Sequence, residues 1–159
     1  MIVLGLDLAS HTGWSVLEGN NKLLASGTQE FKGKPAKKFC DFDEWIEKLL
    51  ADYMPTLVVY ERPHFRGYAA TVIGVGLSTI MRMSCFKHGF PVIPVHTATL
   101  KSFATHYGKA TKEQMTSGIN AIFKDLNLKT KENNDEADAI WLALFGSNLN
   151  AEEIGKLQQ

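Results

Sequence analysis

Cysteine is scarce in this chain. Only Cys40 and Cys85 occur among 159 residues, far apart and outside any Cys-x-x-Cys pair. That excludes a disulfide scaffold and suits a reducing compartment such as the cytoplasm. Five histidines are present, but without zinc-ligand spacing. An excess of charge is missing too: 17 Lys and Arg face 17 Asp and Glu, for a net charge of +0. Attraction to a polyanion must therefore come from local patches rather than from the whole molecule. No run of about 18 apolar residues reads as a membrane span. The apolar N-terminus has no basic region before it, so no signal peptide is expected. Repeats, low-complexity tracts and linkers are also lacking. With 45% hydrophobic and 21% charged residues the composition is ordinary for a globular protein. One domain over residues 1–159 is expected.

What is present is an alternation of strand-like and helix-like stretches. Residues 2 to 8 read as a buried strand. "GWSVLEGNNKLLASGTQEF", residues 13 to 31, reads as a hairpin turning at Gly19-Asn20-Asn21. Residues 32 to 38, "KGKPAKK", hold four lysines and a proline and read as an exposed loop. Apolar residues at 39, 42, 45, 46, 49 and 50 form a helical stripe that Pro55 ends. "TLVVYE" (56–61) and "FPVIPV" (90–95) are further strands, with a helix over 69–88 between them. A helix is expected over 111–125 with Thr111 as its cap, then a polar loop over 129–135 and a last apolar helix over 135–146. Three strands followed by α/β alternation predict a mixed sheet with helices on its faces.

Two of the strands end on an acid, Asp7 and Glu61. A buried carboxylate is costly unless it is paired or coordinates a metal. Asp135 and Asp138 then fall at the start of the last helix, three residues apart and so on one face. Singly, each acid has an ordinary explanation: a turn for Asp7, an ion pair with Arg62 or Arg66 for Glu61, an N-cap for Asp135. Together they occupy strand and helix ends, where sites gather in α/β sheets. Hard divalent cations take oxygen ligands, and a pair of them can stabilise both attacking and leaving oxygens in phosphodiester cleavage.

The stretches "LGLDLASHTGWSVLE", "LVVYERP", "PVIPVHTATLKSFATHYGKATKEQM" and "NNDEADAIWLAL" resemble, in order and spacing, the motifs of RuvC-type Holliday junction resolvases of the ribonuclease H-like superfamily. The resemblance covers nearly the whole chain, and its small size and divergence look like a phage version. It implies a ribonuclease H-like α/β fold: a mixed five-stranded sheet flanked by helices. It implies catalytic, metal-holding acids at Asp7, Glu61, Asp135 and Asp138, with Asp7 bridging two ions. The ions implied are Mg2+, with Mn2+ as a substitute. Lys101 matches the family's catalytic lysine after the fifth strand, which implies contact with the scissile region or stabilisation of developing negative charge, and Lys112 matches its later lysine. The implied reaction is hydrolysis of a DNA phosphodiester to 5′-phosphate and 3′-hydroxyl ends, on four-way junctions and other branched DNA. One departure is Asp7-Leu8-Ala9, where the family usually has Asp-Pro-Gly. It bears on sequence preference more than on catalysis.

DNA contacts are expected from Lys32, Lys34, Lys37 and Lys38, from Arg62, His64 and Arg66, and from Lys101, His106, Lys109 and Lys112. Phe65 or Tyr68 is placed to stack on an unpaired base or, equally, to cover the core edge. Helix 69–88 is apolar on more than one face, which suits a homodimer. Gly74, Gly76 and Ser78 would allow close approach there, with Val75 and Met81 in contact. Other readings are a sugar-kinase or actin-like ATP site, for which the chain is too short, a nuclease of RNA–DNA hybrids, and a non-catalytic junction-binding module. Retention of all four acids opposes the last.

Overall fold

The computed structural model describes residues 1–65 and 67–158. Five strands form one mixed sheet: β1 (Ile2–Asp7), β2 (His11–Glu18), β3 (Lys22–Glu30), β4 (Leu57–Glu61) and β5 (Val92–Val95), in the order β3-β2-β1-β4-β5. The first three pair antiparallel through tight turns, with Gly19 at φ 62° in the hairpin. The pairs β1·β4 and β4·β5 are parallel, so each needs a crossover, and a helix supplies it. These are α1 (Pro35–Tyr53) and α2 (Tyr68–His88). Four helices follow: α3 (Thr97–Thr105), α4 (Lys112–Ile122), α5 (Thr130–Ser147) and α6 (Ala151–Leu157).

Side chains alternate across a strand, and here the alternation separates two cores. Leu4, Leu6, Val58 and Tyr60 face α1 and α2, packing with Phe42, Ile46, Leu77 and Met81. Val3, Leu57, Val59, Ile93 and Val95 face the other way, packing with Met115, Ile119, Ile140 and Trp141. Asp7 and Glu61 continue the second set in the period-two pattern. Their strands lie in parallel register, Leu6 opposite Tyr60, so both acids leave the sheet on the α5 side at the same level.

Several boundaries differ from the sequence expectation. Helix α1 starts at Pro35, because a proline at the first helical position loses no hydrogen bond. The supposed lysine loop thus contributes the helix's first turn. Helices α3 and α6 were not expected, being short and weakly periodic. Thr111 does cap α4, in a capping box with Gln114. The supposed loop over 129–135 is mostly helical: α5 starts at Thr130 and breaks its φ/ψ only at Asn133. Asp135 therefore follows a kink rather than capping a helix. Helix α2 is, by length and composition alone, apolar enough to cross a bilayer, which the sequence reading overlooked. It buries Leu77, Met81 and Cys85 against the sheet and α1.

Glycines let α5 lie directly on the sheet. A Cβ on Gly5 would stand 2.1 Å from the Ala139 carbonyl oxygen, and one on Gly13 1.9 Å from that of Asp135. Ser15 Oγ donates to the Ala139 carbonyl at 2.8 Å between them. Gly5→Ala should therefore lower unfolding free energy in urea by about 3 kcal/mol or more, since neither backbone can give way. Gly155→Ala, where a Cβ meets nothing within 4 Å, should instead be neutral or slightly stabilising.

Candidate active site

Asp7, Glu61, Asp135 and Asp138 line one cavity of about 270 Å³, together with Lys101, Lys112, Arg62, His64 and Thr97. The first two acids arrive on neighbouring strand ends. The other two arrive on α5, whose i, i+3 spacing presents both toward them. Lys101 comes from α3 and Lys112 from the first turn of α4. The six expected residues of the centre are thus brought together.

The cavity is electrostatically unfavourable to its own acids. Burial pushes the Asp7 carboxyl well above the usual carboxylate range, and repulsion from Glu61, Asp138 and Asp135 pushes it further; Lys112 opposes this. Burial likewise raises Asp138 to about 7, aided by Glu61 and Asp135 and opposed by Lys112 and Lys101. Two nearby lysines do not neutralise four acids. Among the described residues no three carboxylate, imidazole or thiol groups are gathered tightly enough to close a shell around one ion. The acids line the cavity as a donor set of hard oxygens, of the kind that takes a hard divalent cation jointly with water or phosphate.

Glu136, Asn133, Ser26 and Thr97, which the sequence reading did not single out, brace this arrangement together with His64, which was expected as a DNA contact. Glu136, buried between Asp135 and Asp138 in sequence, accepts from Ser26 Oγ of β3 at 2.7 Å and from Asn133 Nδ2 at 3.2 Å. Asn133 Oδ1 also accepts from the Lys129 backbone N–H at 3.2 Å, tying down the kink before Asp135. Thr97 Oγ1 donates to Glu61 Oε1 at 2.5 Å, and His64 Nε2 lies 2.9 Å from the same oxygen. Only the abnormal acidity of "DEADA" hinted at Glu136, and nothing in the sequence marked Thr97.

The expected DNA-contact residues are dispersed. Lys32 pairs with Glu30 at 3.0 Å and Lys37 with Asp41 at 2.5 Å, both exposed. Lys34 precedes α1, and Lys109 is exposed between α3 and α4. Lys38 Nζ donates to Ser10 Oγ at 2.6 Å, bracing the turn after Asp7. Arg62 Nη1 lies 3.1 Å from His96 Nε2. His106 ends α3 in the left-handed region, φ 59°. Phe65 and Tyr68 are 90% and 87% exposed, so neither covers the core edge. Arg66 lies outside the described residues. On α2, Met81 is fully buried and belongs to the core, not to a contact surface. Gly74 and Gly76 make room for Pro63 and Phe39 of the same chain, so the expectation that they admit a partner backbone is corrected. Buried Ser78 donates to the Val75 carbonyl.

Because Asp138 binds its proton more tightly in the fold than in the unfolded chain, metal-free stability should be greatest below pH 3.8 for this group. It should be lost as pH rises toward and through about 7. Asp138→Asn should accordingly stabilise the metal-free protein at pH 8 by roughly 1–3 kcal/mol in urea unfolding. An equal or lower midpoint would contradict the repulsion described above.

A family model described as "Crossover junction endodeoxyribonuclease RuvC" matches residues 3–145. Proteins of that name from Rickettsia africae and Rickettsia prowazekii are 30% and 31% identical to this chain, each over 90% of it and 94% of their own length. The structure of Thermus thermophilus RuvC with a Holliday junction substrate superposes with a TM-score of 0.80 at 20% identity, covering 99% of this chain and 98% of that one. That likeness establishes the shared ribonuclease H-like fold. The chain belongs to the RuvC family of crossover junction endodeoxyribonucleases.

Proposed function

We propose that this chain is a metal-dependent endonuclease that resolves four-way DNA junctions, with other branched DNA as further substrates. The observation that supports it most is the meeting of four acids and two lysines around one cavity, in a member of a junction-nuclease family. Asp7, Glu61, Asp135 and Asp138 would hold Mg2+, two ions to a site, with Mn2+ as a substitute. When bound, such ions supply Lewis-acid stabilisation of the phosphodiester oxygens and a more acidic water. The products expected are a 5′-phosphate and a 3′-hydroxyl.

The chain's own groups do the rest. Lys101, on the cavity wall, would stabilise charge developing on a phosphate oxygen. Lys112, at the N-terminus of α4, adds a cation where the helix dipole already favours an anion. Lys32, Lys34, Lys37, Lys109 and Arg62 would grip flanking phosphates, and exposed Phe65 and Tyr68 would stack on unpaired bases. Residues 1–159 would act as one nuclease domain, working in the cytoplasm of a bacterium or of a phage's host.

Paired cuts on two strands need two sites, and the exposed face of α2 supports a homodimer. Val72 and Val75, with Phe39, line an open apolar hollow of about 660 Å³, the part of this face left for a partner once Phe65 and Tyr68 are given to DNA. Met83 and Phe86 continue the same exposed stripe, 54% and 88% exposed.

Two outcomes check this reading. Asp7→Asn, Glu61→Gln, Asp135→Asn and Asp138→Asn should each reduce cleavage of a labelled four-way junction by at least about a hundredfold while binding persists. Near wild-type cleavage by Asp7→Asn would refute it. Val75→Glu should give soluble monomers that lose paired cuts, because an apolar interface cannot bury an unpaired charge. Light scattering that shows a wild-type monomer still making paired cuts would refute the dimer.

A further inference from the structure

Glu61 ends β4 opposite Val95 of β5, and the chain then turns into α3, whose first residue is Thr97. This route places Thr97 two residues beyond the strand partner of Glu61. The Arg62 backbone N–H donates to the Val95 carbonyl at 2.9 Å and fixes that geometry. The Thr97 hydroxyl is not spent on the helix. The N-cap of α3 is His96, with no side-chain cap bond, and Thr97 Oγ1 instead donates to Glu61 Oε1 at 2.5 Å. His64, from the loop after β4, reaches the same Oε1 at 2.9 Å and also touches Thr97. Both contacts fall on one oxygen of a carboxylate that is 12% exposed. Among the described residues Glu61 Oε2 takes part in no hydrogen bond, which leaves it available to another ligand.

We propose that Thr97, assisted by His64, is a positioning residue that holds Glu61 by Oε1 so that Oε2 alone is presented to a divalent cation. This rests on the reading of Glu61 as a metal ligand. A side chain as long as glutamate has several rotamers, and freezing them before the cation arrives lowers the entropy lost on binding. Partners behind a ligand commonly alter metal affinity by about 10–100-fold. Because the Thr97 hydroxyl is engaged by Glu61 and His64 and bonds none of the other acids, its loss should act on metal affinity and leave junction affinity alone.

The test is a calorimetric titration of Mn2+ into wild type, Thr97→Val, Thr97→Ser, His64→Ala and Glu61→Gln. It is paired with the Mn2+ concentration giving half-maximal junction cleavage and with junction affinity in metal-free buffer. Thr97→Val keeps shape and removes only the hydrogen bond, so thermal unfolding should be close to wild type. Mn2+ affinity should fall about tenfold in Thr97→Val, with a matching rise in the half-maximal Mn2+ concentration. The saturated rate should change much less, and metal-free junction affinity should not change. Thr97→Ser, which retains the hydroxyl, should restore affinity, and His64→Ala should lose less than Thr97→Val. Wild-type Mn2+ dependence in Thr97→Val, or no rescue by Thr97→Ser, overturns the proposal. If Glu61→Gln loses Mn2+ affinity while Thr97→Val keeps it, only the positioning role fails. If Glu61→Gln itself binds Mn2+ as wild type does, the ligand reading fails and the positioning role with it.

Discussion

Two glycines, Gly5 in β1 and Gly13 in β2, allow the backbone of α5 to rest on the backbone of the sheet. Any side chain at either place would meet a main-chain carbonyl, so the helix would have to lift. Lifted, it would carry Asp135 and Asp138 away from Asp7. Ser15 adds a hydrogen bond to the same seat, and Gly146 lets the far end of α5 pack against Val3, Leu57 and Val59. The geometry of the acidic cavity follows from that contact and from strand alternation, which turns Asp7 and Glu61 to the α5 side.

The contact also explains how the fold tolerates the cavity. Raising Asp138 from 3.8 to about 7 corresponds to roughly 4 kcal/mol against the ionised form, at about 1.4 kcal/mol per unit. On the same helix Ile140, Leu142 and Leu144 are buried, each worth roughly 1.5–3 kcal/mol. Trp141 is buried too and donates Nε1–H to the Met115 carbonyl at 2.9 Å, joining α5 to α4. Apolar burial therefore exceeds the repulsion, and the acids remain crowded in a fold that gains when a cation enters. Glu136, held by Ser26 and Asn133, keeps the helix start from relieving the crowding by turning away.

Much of this was legible in the sequence. The acids at the ends of "IVLGLD" and "LVVYE" were legible as strand ends and the spacing in "DEAD" as one helix face, because strand and helix periods are local properties; that Asp135 lies inside α5 rather than at its start was not. Thr111 as a cap was legible for the same reason. The helical start at Thr130 and the kink at Asn133 were not, since polar "TKENN" has no apolar period and is ordered by Glu136 and the sheet. Thr97 and Ser26 escaped notice because their partners, Glu61 and Glu136, are distant in sequence and meet only through the sheet order. The fate of α2 was half legible: its excess of apolar surface was apparent, but which face is covered depends on α1. Hence Val75 stands 45% exposed whereas Met81 is buried.

The central claim is that this cavity hydrolyses branched DNA through cations held by the four acids. It is tested most directly by incubating the purified protein with end-labelled four-way, three-way, flap and linear DNA, with and without Mg2+, and mapping the ends produced. The account predicts cuts in the four-way junction only when Mg2+ is present, paired across the branch point, with 5′-phosphate ends and little cutting of linear duplex. Equal cutting in the presence of a chelator, or no cutting of any branched substrate with Mg2+ supplied, would contradict it.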